Sequence, residues 1–252
     1  MQNLCNEGYY RHYRTGSGEI SYQDSEELKV FTKRLASQIK EKYHPQTVLD
    51  AGCAMGMLVA ALRDLGVEAY GVDLSEYAIS QVREDIRPYC AVGSLSSALP
   101  DSLPKRYDLV VSMEVLEHMP EEDAKKAVAN LCAVTDRVLF SSVPDDTEDP
   151  THINLHEPPY WCGLFAEQGL FFVGEEKPVF LTNYALFFQR KSMSASVELY
   201  ERKLQKDAEQ FLNLSLDLDE LQGELDELQE KNEILDEDLR EYRALYFDKA
   251  KE

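Results

Sequence analysis

The chain has 252 residues, 44% of them hydrophobic, and a formal net charge of −21. That balance excludes a protein that coats nucleic acid through phosphate contacts, and no run approaches the ~18 consecutive apolar residues of a membrane span. Five cysteines (5, 53, 90, 132 and 162) are odd in number and form no CxxC pair, which fits reduced thiols in a cytoplasm better than a disulfide framework or a zinc site.

The opening MQNLCNEGYYRHYR has no apolar h-region and does not read as a secretory signal. Tyr9, Tyr10, Tyr13 and Tyr22, with flexible glycines among them, suit a lid that stacks on a ligand; they equally suit an aromatic segment that packs on the following helix. A helical pattern runs through EELKVFTKRLASQIKEKY, completing an amino-terminal unit of residues 1–45. TVLDAG is then a short apolar strand ending at glycine, followed by a helical MLVAALRDLG. VEAYGVDLS is a strand, and SEYAISQVREDI a helix that Ser75 can cap. CAVGS and YDLVVSM are strands, PEEDAKKAVANLCAV a helix opened by Pro120, and RVLFSSVP a strand. PPYWCGLFAEQG reads as a helix, with LFFVGEEK and NYALFFQRK as closing strands.

Alternation of this kind over residues 46–192 predicts an α/β fold, a mostly parallel sheet flanked by helices. The last two strands lie close in sequence and need no helical crossover, so one edge is expected to be antiparallel.

The final segment, 193–252, carries 8 Lys and Arg against 18 Asp and Glu, and reads as a separate unit. Apolar residues there recur at alternating gaps of three and four. One register puts Val197, Leu204, Phe211, Leu218, Leu225, Asn232, Leu239 and Tyr246 at a. Its d positions are Tyr200, Asp207, Leu214, Leu221, Leu228, Leu235 and Tyr242. That is a coiled-coil seam, roughly 75 Å long at ~1.5 Å per residue. A single Asn at an a position favours a two-stranded, in-register pairing. Lys231 facing Asp236 and Asp238 facing Arg243 favour a parallel homodimer through 197–246. A long helix folded back on its own domain is the alternative. FDKAKE ends the rod without a cap, as a piece of a longer chain would.

Ligands of such sheets bind at the carboxyl ends of the strands. Three of those ends carry suggestive residues: the small-residue turn Asp50-Ala51-Gly52-Cys53-Ala54-Met55-Gly56, Asp73 at the end of the second strand, and SMEVLEHMP after the fourth. The turn misses the GxGxxG dinucleotide spacing, and no Walker lysine follows it. A carboxylate at Asp73 suits the two hydroxyls of a ribose. On a helical turn, Glu114, Glu117 and His118 would share one face, offering either a divalent-metal cage or a general base.

VLDAGCAMG, GVDLS and YDLVVSMEVLEHMP, in this order, resemble class I S-adenosylmethionine-dependent methyltransferases over about residues 40 to 190. The resemblance implies a Rossmann-like, seven-stranded sheet and S-adenosylmethionine as cofactor. Carried onto this chain, Asp50, Ala51, Gly52, Cys53 and Gly56 would border the methionine end. Asp73 would hold the ribose, Leu74, Gly93, Ser94 and Leu95 would lie by the adenine, and Ser112 and Met113 would floor the pocket. Two positions depart from the family's pattern: Ala54, often glycine, suits the turn if its φ stays negative, and Ser94 stands where an acid is common.

A narrower likeness, in EDIRPYC, SSVPDD and THINLHEPPYW, is to bacterial methyltransferases found with surface-polysaccharide glycosyltransferases and sometimes joined to coiled coils. It implies a saccharide hydroxyl as acceptor and glycan-assembly proteins as partners. Oxygen acceptors usually need a base, for which His118, His152 and His156 are candidates, with Glu114 beside them. The ExxEH turn with a later histidine also resembles the magnesium or manganese site of small-RNA ribose methyltransferases; Glu114, Glu117, His118 and His156 would be the ligands. A non-catalytic scaffold that keeps the fold and works through its coiled coil is the remaining reading.

Overall fold

The computed structural model describes residues 7–11, 13–15 and 18–191, and in the carboxyl-terminal stretch residues 221–223, 225, 228, 229 and 231. The chain divides into two compact units, Met1–Ser192 and Met193–Glu252.

In the first unit a short helix, α1 (Glu7–Arg11), precedes two small strands, β1 (Tyr13–Thr15) and β2 (Gly18–Ile20), which pair antiparallel. The sequence shows only a flexible, tyrosine-rich segment here; the paired backbone is an addition. Helix α2 (Glu26–Tyr43) starts where Ser25 accepts the Leu28 N–H at 3.2 Å. It buries Thr32, Leu35, Ala36, Ile39 and Tyr43, one stripe at helical spacing.

The central sheet then follows. Its strands are β3 (Thr47–Ala51), β4 (Glu68–Asp73), β5 (Cys90–Val92), β6 (Leu109–Met113), β7 (Arg137–Ser141), β8 (Leu170–Phe172) and β9 (Leu186–Arg190). They lie in the order β5-β4-β3-β6-β7-β9-β8. Five are parallel, and β9 runs antiparallel to both neighbours, β7 and β8. The expected antiparallel edge is therefore there, with the last strand inserted inside the penultimate one.

Helices α3 (Met57–Asp64), α4 (Glu76–Ser80), α5 (Glu121–Val134) and α6 (Pro158–Glu167) make the crossovers and connections. Both faces of the sheet are covered, so its central strands are continuous apolar runs rather than alternating ones. Successive side chains go to opposite cores. Val48, Leu109, Val111 and Leu139 join Leu35, Ile39 and Leu62 of α2 and α3. Leu49, Val110, Val138 and Phe140 join Val128, Leu131, Trp161 and Phe165 of α5 and α6.

Two expected elements are shorter than their patterns. The helix read over SEYAISQVREDI is capped by Ser75, which accepts the Ala78 N–H at 3.2 Å, but it stops at Ser80. A separate three-ten turn covers Glu84–Tyr89. Arg83 interrupts the ladder with φ −48° and ψ 132°, its guanidinium clamped between Asp64 and Asp85 at 2.7 and 2.6 Å. Likewise LFFVGEEK is strand only over Leu170–Phe172 before a three-ten turn at Gly174–Glu176.

In the second unit, the described residues of the heptad stretch are helical, and Leu221, Leu225 and Leu228 of its seam are exposed. Asn232, the ion-pair residues Asp236, Asp238 and Arg243, and the rest of the seam lie outside the described residues. Among the described residues, no helix is long and apolar enough to cross a membrane.

Candidate active site at the carboxyl ends of the central strands

The chain leaves β3 toward β4 and β5 on one side and returns to β6 on the other. This is a topological switch point, with a crevice outside the strands' carboxyl ends. A cavity of about 290 Å³ opens there.

Its floor is the turn after β3. The N–H groups of Gly52 and Cys53 both donate to the Val72 carbonyl, at 2.8 and 3.1 Å, which locks the turn onto β4. Gly52 has φ +90°, and a Cβ placed there would lie 2.3 Å from Val115 Cγ2. Only glycine lets the β3 turn and the loop after β6 approach this closely. Ala54 does not meet the condition of a negative φ: its φ is +47°. A left-handed alanine costs about 1–2 kcal/mol, and its N–H donates to Asp73 Oδ2 at 2.8 Å, which holds it there.

Asp73 Oδ1 accepts the Ser75 N–H, also at 2.8 Å. Each oxygen keeps a lone pair for a ligand. Burial raises the Asp73 pKa, opposed by these two N–H bonds. Asp50, deeper under the turn, is pushed up to about 7 by burial and then by the charge of Asp73.

Of the residues expected to bind a cofactor, Gly52, Asp73, Leu74, Gly93, Ser94, Leu95 and Met113 line the cavity. Asp50, Ala51, Cys53, Gly56 and Ser112 are not among its lining residues. Asp50, Ala51, Cys53 and Ser112 are buried behind it. Tyr9, Tyr10 and Tyr22 form an aromatic wall, with Tyr10 edge-on to Tyr22 at 5.6 Å.

The loop after β6 supplies the opposite side. Glu114 also lines the cavity but is left-handed, with φ +53°, so it does not share a helical face with the residues after it. The only helical turn in the stretch is three-ten, Leu116–His118. Glu114 Oε2 accepts the Tyr184 hydroxyl at 3.1 Å, a partner with no signal in the sequence. Glu117 is wholly buried, and neither carboxylate oxygen makes a well-formed hydrogen bond among the described residues; the Glu114 carboxylate and the Ser142 hydroxyl lie against it. Burial first, and Glu114 second, push its pKa well above the usual carboxylate range.

His118 lines the cavity, and burial, then His152, hold its imidazole below the ordinary value. It is therefore neutral near pH 7, as a base must be. The His152 ring lies 4.8 Å away, outside the cavity lining, with Nδ1 2.9 Å from the Asp146 carbonyl.

Of the four expected metal ligands, Glu117 and His118 fall in one cluster among the described residues; Glu114 and His156 do not, and His152 joins it instead. Glu117 accepts the Ile153 and Asn154 N–H groups on its carbonyl at 2.9 and 3.0 Å, so the segment after β7 is tied alongside the turn. That tie brings His152 to His118 and carries His156 away onto α6. There His156 stacks on Tyr160 at 3.6 Å and bonds Asn154 Oδ1 at 3.0 Å. Glu117, His118 and His152 offer ligand atoms within 4.8 Å of one another. Thr151, which the sequence does not single out, reaches His118 Nδ1 at 2.9 Å and in turn donates to Asp149 Oδ1 at 2.6 Å.

A family model described as "Methyltransferase domain" matches residues 20–173. The magnesium-protoporphyrin O-methyltransferase of Synechocystis is 31% identical over 103 residues, which is 40% of this chain and 45% of the relative. A ubiquinone biosynthesis O-methyltransferase of Paraburkholderia phytofirmans is 30% identical over 162 residues, 60% of this chain and 62% of the relative. The chain thus spans from under half to less than two thirds of these curated relatives.

Among solved structures, magnesium protoporphyrin IX methyltransferase from Synechocystis with bound SAM shares 19% identity at TM-score 0.51. That likeness covers 73% of this chain and 94% of the other. A SAM-dependent methyltransferase from Archaeoglobus fulgidus gives 19% and 0.51, over 67% and 96% of the two chains. Both are likenesses of fold. The family's model spans more than half of the chain, including the six parallel and antiparallel strands up to β8 and most of the cavity, and the chain belongs to the methyltransferase domain family.

Proposed function

We propose that the chain transfers the methyl group of S-adenosylmethionine to a hydroxyl oxygen of a small acceptor, a saccharide hydroxyl in bacterial polysaccharide biosynthesis. The observation that carries this reading is the cavity itself: one wall holds Gly52, Ala54 and Asp73, the other His118 and Glu114. The names of the relatives, all O-methyltransferases, support oxygen as the accepting atom. The saccharide rests on the sequence likeness and on the tyrosine wall, which suits the apolar face of a sugar ring.

The donor fits the residues present. The close packing of Val115 on the bare Cα of Gly52 shapes the floor of the cavity, and the spare lone pairs of Asp73 suit two ribose hydroxyls. Leu74 and Leu95 give an apolar slot for a purine, with Gly93 and Ser94 beside it. When bound, S-adenosylmethionine supplies an electrophilic methyl carbon whose leaving group is a neutral thioether. The chain's own work is to orient the acceptor, exclude water, and take up the proton that the hydroxyl loses as its oxygen gains the methyl group. His118 takes that proton, Glu114 positions the hydroxyl, and His152 stands behind His118.

Titration calorimetry with S-adenosylmethionine tests the core of this reading. Micromolar binding that weakens in Asp73→Asn supports it, and no binding by the intact chain favours the non-catalytic scaffold. Transfer of radiolabelled methyl to oligosaccharide as against phenolic acceptors then tests the acceptor class.

A second reading, a divalent cation at the turn, has its own observation. Glu117 is a wholly buried carboxylate with no well-formed hydrogen bond among the described residues, beside two imidazoles. A hard cation held by Glu117, His118 and His152 would orient the acceptor oxygen and lower its pKa. If chelation leaves turnover intact, this reading fails.

For the second unit we propose the parallel homodimer through residues 197–246. The exposed leucines 221, 225 and 228 support it, because each would be buried in a two-stranded seam.

A further inference from the structure

We propose that Thr151 and Asp149 are positioning residues that hold the His118 imidazole in its Nδ1–H tautomer, leaving the Nε2 lone pair free for the acceptor's proton. The use made of Nε2 rests on the methyl-transfer reading; the tautomer rests on hydrogen bonds alone.

The argument is one of counting protons. Thr151 Oγ1 stands 2.6 Å from Asp149 Oδ1 and 2.9 Å from His118 Nδ1. A threonine hydroxyl has one proton to give, and a carboxylate only accepts. If Thr151 gave its proton to His118, two oxygen lone pairs would face each other at 2.6 Å across the carboxylate contact. The charge-assisted bond to Asp149 therefore takes the proton. Thr151 Oγ1 is then an acceptor toward His118, and that bond exists only when Nδ1 carries hydrogen. Nε2 is left bare in the neutral ring.

The relay is rigid because it sits in one turn. The Thr151 N–H also donates to Asp149 Oδ1, at 2.8 Å. His152 is fixed independently: its Nδ1 is 2.9 Å from the Asp146 carbonyl, which can only accept, so this ring too is Nδ1–H. Its Nε2 faces Asp149 Oδ2 at 3.9 Å. Asp149 thus stands between the two rings, one oxygen acting on His118 through Thr151. When His118 takes a proton on Nε2, the positive ring stays bonded to Thr151, and Asp149 balances its charge. Rate enhancement by His118 thus depends on residues that never touch the acceptor.

The test is the tautomer itself. Long-range proton–nitrogen correlation spectra of the uniformly nitrogen-15-labelled full chain report which ring nitrogen is protonated. The His118 signals are assigned by their loss in His118→Gln. We expect protonated Nδ1 and bare Nε2 in the wild type. Thr151→Val should lower the ratio of Nδ1–H to Nε2–H forms by roughly tenfold, the factor for one hydrogen bond of about 1.4 kcal/mol. Thr151→Ser should restore it. If Thr151→Val does not fold, Asp149→Asn loosens the same relay and should move the ratio in the same direction. An Nε2–H wild-type ring, or a ratio unmoved by these variants, overturns the proposal. Calorimetry with S-adenosylmethionine on the same samples separates the two readings: failed donor binding with the expected tautomer sinks methyl transfer and leaves the relay standing.

Discussion

The two walls of the cavity are built on opposite principles. On the side of β3 to β5, the groups at the strand ends are tied to backbone: the Val72 carbonyl accepts two N–H groups, and both Asp73 oxygens are bonded to backbone. The backbone strain at Ala54 is held by one of those bonds. On the side of β6 and β7, buried polar atoms accumulate without partners among the described residues. They include Ser112 Oγ, Glu114 Oε1, both Glu117 oxygens, Ser141 Oγ and Ser142 Oγ. A buried polar atom without a partner costs about 1–3 kcal/mol. The first wall is finished at its strand ends by the chain's own backbone bonds; the second is lined with buried oxygens that an ion or an acceptor can partner. A site that holds one donor and meets a variable acceptor is expected to divide in this way.

The largest effect should come from breaking the finished wall. Gly52→Ala adds a Cβ 2.3 Å from Val115 at a φ of +90°. It is expected to lower stability by roughly 2–4 kcal/mol, read as the thermal midpoint. Adding Val115→Ala should recover only the part due to the clash. Next, Asp73→Asn should weaken S-adenosylmethionine binding by about 10- to 100-fold in calorimetry, the loss of charge-assisted hydrogen bonds.

The unfinished wall should respond in the other direction. Glu117 has a folded-state pKa raised above its unfolded value, so its contribution is fully present below the unfolded pKa and is lost as pH rises. Asp50, which lies on the other wall in β3 and is raised to about 7, adds the same sign between about pH 4 and pH 7. Stability should therefore fall as pH climbs through this range. Glu117→Gln should raise the melting temperature at pH 8 by about 2–4 °C for each kcal/mol released, and hardly change it at pH 4. Manganese that stabilises the wild type but not Glu117→Gln at pH 8 would sharpen the contrast toward the cation reading.

The smallest effect on the cavity should come from the tail. Leu225→Asp with Leu228→Asp should convert a dimer to a monomer by light scattering, with S-adenosylmethionine affinity unchanged. A wild-type monomer in that measurement removes the dimer proposal.

Much of the first wall was legible from sequence because it is local. A strand ending in small residues, a strand ending in an acid, and their spacing are written within residues 47–73. The second wall was legible only in its cast. Its His118 and Glu117 are visible as a motif, but their neighbours are His152, Thr151 and Asp149, more than 30 residues away by chain and brought alongside by backbone bonds from Ile153 and Asn154. Helical spacing suggested that Glu114 shared a face with His118; the left-handed backbone at Glu114 removed it. Tyr184, from the segment before β9, was invisible because nothing local announces a contact 70 residues away.

Apolar runs, turn glycines and heptad spacing are short-range patterns, and through them the sequence by itself determined the alternating architecture, an acid, Asp73, at the end of the second strand of the central sheet, and a separate acidic tail. The choice of His152 over His156 as neighbour of His118, the tautomer of that ring, and the left-handed Ala54 were decided only by tertiary structure. Each depends on hydrogen bonds between segments that the chain's order keeps apart, and such bonds form only once the sheet has brought its strand ends together.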